Sequence, residues 1–148
     1  MNYLRKRNIQ SNTNGILIVD SNNRRIVGLN RKFVEMWGFS SCIVNSQDEN
    51  IALDFAAFKV ENPLKFLTEV QEIYKNIELE IHDTIKLKDG RIFERHSLPQ
   101  YLESKNVARL WMFRDTTHEK FLKNWPDVLS NKILYYPTLI STRKFNEI

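Results

Sequence analysis

The sequence predicts an α+β domain in which two strands come first, a run of helices second and three strands last. Three observations predict it. The β-branched apolar run Ile16-Leu17-Ile18-Val19 is followed, across a turn rich in Asn and Asp, by a second short apolar run. From Phe33 to Tyr74 the apolar residues switch to the three-and-four spacing of helices. From Ile77 to Arg114 the two-residue alternation of strands returns, interrupted by the hairpin signal Lys88-Asp89-Gly90.

Asn14-Gly15 turns the chain into the first strand. Asp20-Ser21-Asn22-Asn23 supplies a tight turn, because Asn and Asp tolerate positive φ and bond their own backbone. Arg25 to Leu29 completes the hairpin. Asn30 has the character of a helix N-cap. Phe33, Met36 and Trp37 follow at helical spacing, and Gly38 is the stop. Ser46 and Glu49 have the spacing of a capping box, so a second helix is expected from Ser46 with Ile51, Phe55 and Phe58 on one face. Asn62-Pro63 opens a third helix, with Asn as cap and Pro at its first position. Phe66, Leu67, Val70, Ile73 and Tyr74 form its apolar stripe.

One long strand is expected from Ile77 to Leu87 and another from Arg91 to Leu98, ended by Pro99. A polar turn over Tyr101 to Asn106 leads to a last strand from Val107 to Arg114. His118 to Trp125 has helical character, which Pro126 and Pro137 limit. The expected organisation is a flanking segment over 1–13, a domain over 14–117 and a C-terminal extension over 118–148.

The bulk composition narrows the function classes. A chain of 148 residues suits one domain, its 42% apolar content supports a core, and its 27% charged content is ordinary. The net charge of +4 is spread along the chain, with small clusters only at Arg5-Lys6-Arg7 and Arg143-Lys144. Nucleic-acid binders gather their charge on one face, so no nucleic-acid partner is expected. Cys42 is the single cysteine, which excludes an internal disulfide and suits a reducing compartment. No apolar stretch follows Met1 to Gln10 as in a secretory signal, and no apolar run approaches membrane-spanning length. A cytoplasmic protein without a membrane partner is expected.

Four segments resemble PAS domains. Asn14-Gly15-Ile16-Leu17-Ile18-Val19-Asp20 resembles the opening strand, and Asn30-Arg31-Lys32-Phe33-Val34-Glu35-Met36-Trp37-Gly38 resembles the first helix. Lys88-Asp89-Gly90-Arg91-Ile92-Phe93-Glu94-Arg95 resembles a hairpin of bacterial PAS sensors. Trp111-Met112-Phe113-Arg114-Asp115-Thr116-Thr117-His118-Glu119-Lys120 resembles the closing signature, except that Thr116 stands where the family prefers an apolar residue. That departure predicts looser packing there. The resemblance spans Asn14 to Lys120 and implies a five-stranded antiparallel sheet with helices on one face. It further implies that Arg114, Asp115 and Thr117 relay a signal from the sheet to the outgoing segment. Read from the residues alone, Asp115 to Thr117 equally suits a plain strand end and helix cap.

Chemistry beyond binding is sparse. There is no nucleophile–base pair, phosphate loop or metal-ligand spacing, so no enzymatic activity is expected of this chain. Glu94 and His96 share a strand face, which is commonplace for exposed charges. No cofactor is identified. The helix from Pro63 to Lys75 offers no histidine for haem; His82 and His96 fall on predicted strands and His118 lies beyond the domain. Cys42, in Ser40-Ser41-Cys42-Ile43-Val44-Asn45, does not match the reactive cysteine of light-sensing flavin (LOV-type) domains.

A small organic ligand remains open. Strand parity puts Val107, Arg109, Trp111 and Phe113 on one face, and the resemblance turns that face inward. Phe93, Arg95 and Ser97 face inward likewise. Phe33, Met36, Phe66 and Tyr74 then close the space from the helical side. These eight candidates (Phe33, Met36, Phe66, Tyr74, Phe93, Arg95, Trp111 and Phe113) either line a pocket or fill the core. A buried Arg95 requires a counter-charge, from Glu49, Asp54 or Glu69 or from an anionic ligand. Leu110 and Met112 face outward and want cover, which predicts a homodimer through that face.

The resulting expectation is a sensory module of bacterial signal transduction that works on an effector domain or partner protein. The residues after Lys120 are too few for a kinase or cyclase and lack sustained heptads, so a histidine kinase or cyclic-dinucleotide enzyme would lie in a longer parent. A ligand-free interaction module is the alternative, and a small-molecule enzyme the second alternative.

Overall fold

The computed structural model describes residues 14–123. Chain contacts define two units, Met1–Thr116 and Thr117–Ile148. In the first, the elements are β1 (Gly15–Asp20), β2 (Ile26–Leu29), α1 (Arg31–Trp37), α2 (Ser41–Ser46), α3 (Glu49–Ala57), α4 (Pro63–Lys75), β3 (Ile81–Lys86), β4 (Ile92–Leu102) and β5 (Lys105–Asp115). The described part of the second unit is α5 (Thr117–Lys123). The expected flanking segment over 1–13, and the extension beyond Lys123, lie outside the described residues.

The strands form one five-stranded sheet in the order β2-β1-β5-β4-β3, and each neighbouring pair is antiparallel. The core lies on the face carrying Leu17, Val19, Ile85, Phe93, Trp111 and Phe113, against Phe33, Trp37, Ala52, Ala56, Phe66, Val70 and Ile73 of the helices. The expected α+β class is therefore the observed one.

Asn30 ties the opening hairpin to the first helix. Its Oδ1 accepts from the amides of Phe33 and Ile16, each at 2.9 Å, and its Nδ2 donates to the Asn14 carbonyl at 2.9 Å. One side chain thus caps α1 and fixes the start of β1. Gly15 completes this joint: a Cβ there would lie 2.8 Å from both the Phe33 Cα and the Met36 Sδ. At the other end of α1, Gly38 takes the left-handed φ of 70° that ends the helix.

Several sequence expectations are corrected. Ser46 does not open a helix; it ends α2, an unanticipated short helix capped by Ser40. The Ser46 hydroxyl donates to the Ile43 carbonyl at 2.6 Å and accepts from the Asp48 amide at 3.2 Å, while Asp48 caps α3 through the Asn50 amide. The buried face of α3 is Glu49, Ala52, Ala56 and Ala57. Ile51 and Phe58 are exposed and Phe55 is half-buried. Small alanines let α3 pack closely against α4, where larger rings would hold it off.

The expected strand from Ile77 to Leu87 begins only at Ile81. The Leu79 amide donates to the Asn76 carbonyl at 2.9 Å, and Arg109 captures the carbonyls of Ile77 and Leu79, so this stretch is spent on a turn. Pro99 does not end β4. Pairing with β3 stops at Ser97, so from Leu98 onward the strand has a neighbour on one side only, where a missing N–H is tolerated. The turn after β4 narrows to Glu103-Ser104, with φ of 51° and 67°. Thr116 is not loosely packed: it is buried, and its amide and hydroxyl both donate to the Ile92 carbonyl, at 2.8 and 3.2 Å.

Asn30→Ala removes three hydrogen bonds at a buried joint. It is expected to cost about 2–4 kcal/mol of unfolding free energy, read by urea denaturation, with the larger part recovered by Asn30→Asp because the cap oxygen remains.

Candidate functional site

The concave face of the sheet and the helices above it border a cavity of about 40 Å³. Its apolar wall includes Leu17, Phe33, Phe39, Ala52, Leu53, Ala56, Phe66, Val70, Trp111 and Phe113, and its polar members are Trp37, Glu49 and Arg95. Of the eight pocket candidates, Phe33, Phe66, Arg95, Trp111 and Phe113 line it. Met36 and Phe93 are buried and Tyr74 is half-buried, but they do not line it. Aromatic packing frames the space. Trp37 meets Phe93 and Phe113 edge-on at 5.2 and 5.3 Å between ring centroids and is tilted against Phe66 at 6.2 Å.

Arg95 is 1% exposed and points inward. Its Nε and Nη2 grip both oxygens of Asp83 at 2.8 and 2.7 Å, and Nη2 reaches Glu69 at 2.9 Å. Lys65 completes the cluster, 2.9 Å from Glu69. Glu69 is one of the three partners anticipated, whereas Glu49 and Asp54 do not pair with Arg95. Asp83 was missed, although it stands directly opposite Arg95 in the β3–β4 register, which the Gly90 hairpin sets. Burial works against the Arg95 charge, but Asp83 and Glu69 outweigh it and hold the guanidinium above its ordinary range. Burial likewise pushes Glu69 up, yet its bonds to Lys65 and Arg95 bring the carboxyl below the usual range.

Glu49 serves a separate buried network. Its carboxylate pairs with Arg24 and accepts from the Tyr74 hydroxyl at 2.8 Å, and that hydroxyl accepts from Trp111 Nε1 at 3.3 Å. Arg24 lies 3.6 Å above the Tyr74 ring, so its charge is shared between carboxylate and π-face. Burial raises the Glu49 carboxyl above its usual range despite Arg24, and burial with the Glu49 charge raises the Tyr74 hydroxyl.

Arg109 is a second buried cation, which sequence reasoning placed inward by parity without singling it out. It donates to Ser97 Oγ at 2.8 Å and to the Ile77 and Leu79 carbonyls at 2.7 and 2.8 Å. Burial lowers its affinity for the proton, partly offset by the charges of Tyr74, Glu49 and Glu78.

At the exit of the sheet, Arg114 pairs with Glu94 at 3.0 Å, and Glu94 is also 2.8 Å from His82. The bond to His82, opposed by some burial and joined by Arg114, holds Glu94 below the usual carboxylate range. Asp115 ends β5 opposite Phe93, and Thr117 opens α5. On the outer face, Leu110 and Met112 are half-buried, opposite Ile18 and Ile16 on β1 and Leu98 and His96 on β4. Cys42 is exposed. Among the described residues, no cluster of three or more His, Cys, Asp or Glu has a metal-binding arrangement, and no helix is long and apolar enough to cross a membrane.

The strand order, the helices and the inward aromatics lead to comparison with known proteins. A family model described as PAS domain matches residues 9–73. The chain has the PAS fold. No curated protein matches it. Among solved structures, it is similar to the PAS domain of a Colwellia psychrerythraea protein, with 21% identity over 78% of this chain and 97% of that one at a TM-score of 0.51. It is also similar to the PAS domain of Bordetella pertussis BvgS, with 12% identity over 88% and 96% of the two chains at a TM-score of 0.55. The sensor region of a sensor histidine kinase aligns at 13% identity over 72% of this chain with a TM-score of 0.55, and the match spans 40% of that region. At these identities the likeness is one of fold.

The Arg95 cluster bridges α4 and β3 beside β4. A double-mutant cycle of Arg95→Met with Asp83→Asn is expected to return about 2 kcal/mol of coupling in unfolding free energy. Glu69 adds a pH signature. Its lowered carboxyl contributes stability that is present above the ordinary value of 4.5 and lost as pH falls through its lower folded value. Unfolding followed from pH 6 downward, in steps of about one unit, should show a steeper loss for the parent than for Glu69→Gln.

Proposed function

We propose that this PAS domain is a sensory and regulatory module of signal transduction, which takes a small ligand in its concave interior and passes the change out through the end of β5. The cavity between α1, α3, α4 and the sheet carries this reading. A domain that only holds its shape packs such a space with side chains; here an apolar space is left among them. Trp111 and Phe113 line the space and stand on the same strand as Arg114 and Asp115. A ring displaced by an occupant therefore acts on the strand that leads into Thr117. The relay would need two arrangements of that exit close in energy, and the Thr116 bonds to Ile92 define one of them. In this reading the chain is not itself an enzyme. Its output belongs to an effector domain or partner protein in the cytoplasm, such as a histidine kinase or a cyclic-dinucleotide enzyme.

The outer face favours a second use alongside the first. Leu110, Met112, Ile18 and Leu98 sit side by side on the face opposite the cavity, an apolar strip suited to a second copy of the domain. A ligand-free interaction module would use this face alone.

Native mass spectrometry separates the two: a retained small molecule supports sensing, and a bare chain mass with no ligand-dependent change supports interaction alone. Sedimentation velocity is expected to show a dimer, with Leu110→Asp or Met112→Asp raising its dissociation constant at least about ten-fold. A parent that stays monomeric at high concentration removes the dimer from this account.

A further inference from the structure

His82 and His96 stand directly opposite each other on β3 and β4, with ring centres 5.0 Å apart. Met112 on β5 stands directly opposite His96, so the three residues form one row across the sheet. Their strand neighbours Asp83, Arg95 and Phe113 turn to the concave side, which puts the row on the outer face. The row thus lies across the sheet from the interior cavity.

Glu94 prepares His82 for a metal. Its Oε2 lies 2.8 Å from His82 Nε2, and its Oε1 is held by Arg114 at 3.0 Å. A carboxylate only accepts, so Nε2 carries the hydrogen and Nδ1 keeps the lone pair that a metal takes. Among the described residues, His96 spends neither ring nitrogen on a protein partner. An ion about 2.0 Å from one nitrogen of each ring would lie about 3.2 Å from each ring centre, and centres 5.0 Å apart then subtend about 100° at it, a normal angle between two ligands. The rings lie within 27° of parallel, and the His82 side chain, 61% exposed, has room to turn toward that point.

The donors select the ion. Imidazole suits zinc, nickel and copper alike, whereas a thioether is soft and favours copper(I). The row contains no thiolate, and Glu94 is already engaged by His82 and Arg114, so the four ligands of a zinc site are not assembled. Because its third donor is a methionine sulfur, the row differs in kind from a cluster of His, Cys, Asp and Glu, of which the described residues form none.

We infer that His82, His96 and Met112 form a three-ligand site for one copper(I) ion on the outer face of the sheet. The site stands apart from the sensory reading of the interior and does not rest on it.

The test uses the full chain carrying Cys42→Ser, because the exposed Cys42 thiol is itself a soft ligand. Copper(I), kept reduced with ascorbate under argon, is titrated in competition with a chromophoric copper(I) chelator, and zinc(II) is titrated separately. Copper(I) is expected to shift the Met112 methyl signal, assigned by its absence in Met112→Leu, together with the ring protons of two histidines. His82→Ala and His96→Ala should each weaken copper(I) at least about ten-fold. Met112→Leu should weaken copper(I) about ten-fold and leave the looser zinc(II) binding within about two-fold. Zinc(II) held as tightly as copper(I), or a copper(I) affinity that Met112→Leu does not change, overturns the choice of ion. A copper(I) affinity that His96→Ala does not change overturns the site itself.

Discussion

The Arg95 guanidinium is the constraint around which the concave side is built. A cation with 1% exposure is tolerable only with its carboxylates in place, and these come from two different elements, Asp83 on β3 and Glu69 on α4. Satisfying it fixes the distance between the longest helix and the edge strand. Phe66, one turn before Val70 on α4, is thereby set over the guanidinium and against Trp37. Arg109 does similar work at the far end of the same helix, gathering the carbonyls of Ile77 and Leu79 onto β5. Two buried cations, one satisfied by carboxylates and one by backbone, thus hold the α4–β3 passage at both ends.

Between these anchors the interior divides into two polar systems with different balances. The Arg24–Glu49–Tyr74–Trp111 network is closed: each carboxylate oxygen has a donor, and the hydroxyl both gives and receives. The Trp37–Arg95 pair is open, with donors in excess. Closed networks specify a unique packing, and unpaired buried groups weigh against it.

Much of this was legible in the sequence, and what was not has identifiable causes. The Asn30 cap, the Gly38 stop, the Asn62-Pro63 helix start and the Gly90 hairpin are local chemistry, and each stands where the residues put it. Strand parity turned Phe93, Arg95, Trp111 and Phe113 inward, and all four are buried. The errors arose where tertiary partners override local signals. Alternation continues unbroken through Ile77 and Leu79, and only the reach of Arg109 from β5 makes that stretch a turn. The helix Ser41–Ser46 is too short for any periodicity to register. The Glu103-Ser104 turn lacks the Asn-Gly signature of its geometry. Asp83 was within reach of inference, since the hairpin register pairs it with Arg95; Trp37 was placed at helical spacing and left out of the pocket candidates, although it lines the cavity.

The strand order has a consequence for how the molecule comes into being. The central strand of the sheet is β5, and it joins β1 to β4, so Gly15 pairs with Phe113 and Asp20 with Ala108. The strand synthesised first must wait for the strand synthesised last. Until β5 has left the ribosome, the β1–β2 hairpin and the β3–β4 hairpin have no common neighbour, and the apolar sides of α1 and α4 have only part of the sheet to cover them. Completion is a late, long-range event that is slow by topology, and nascent chains stalled before Val107 should be the species that most need a chaperone.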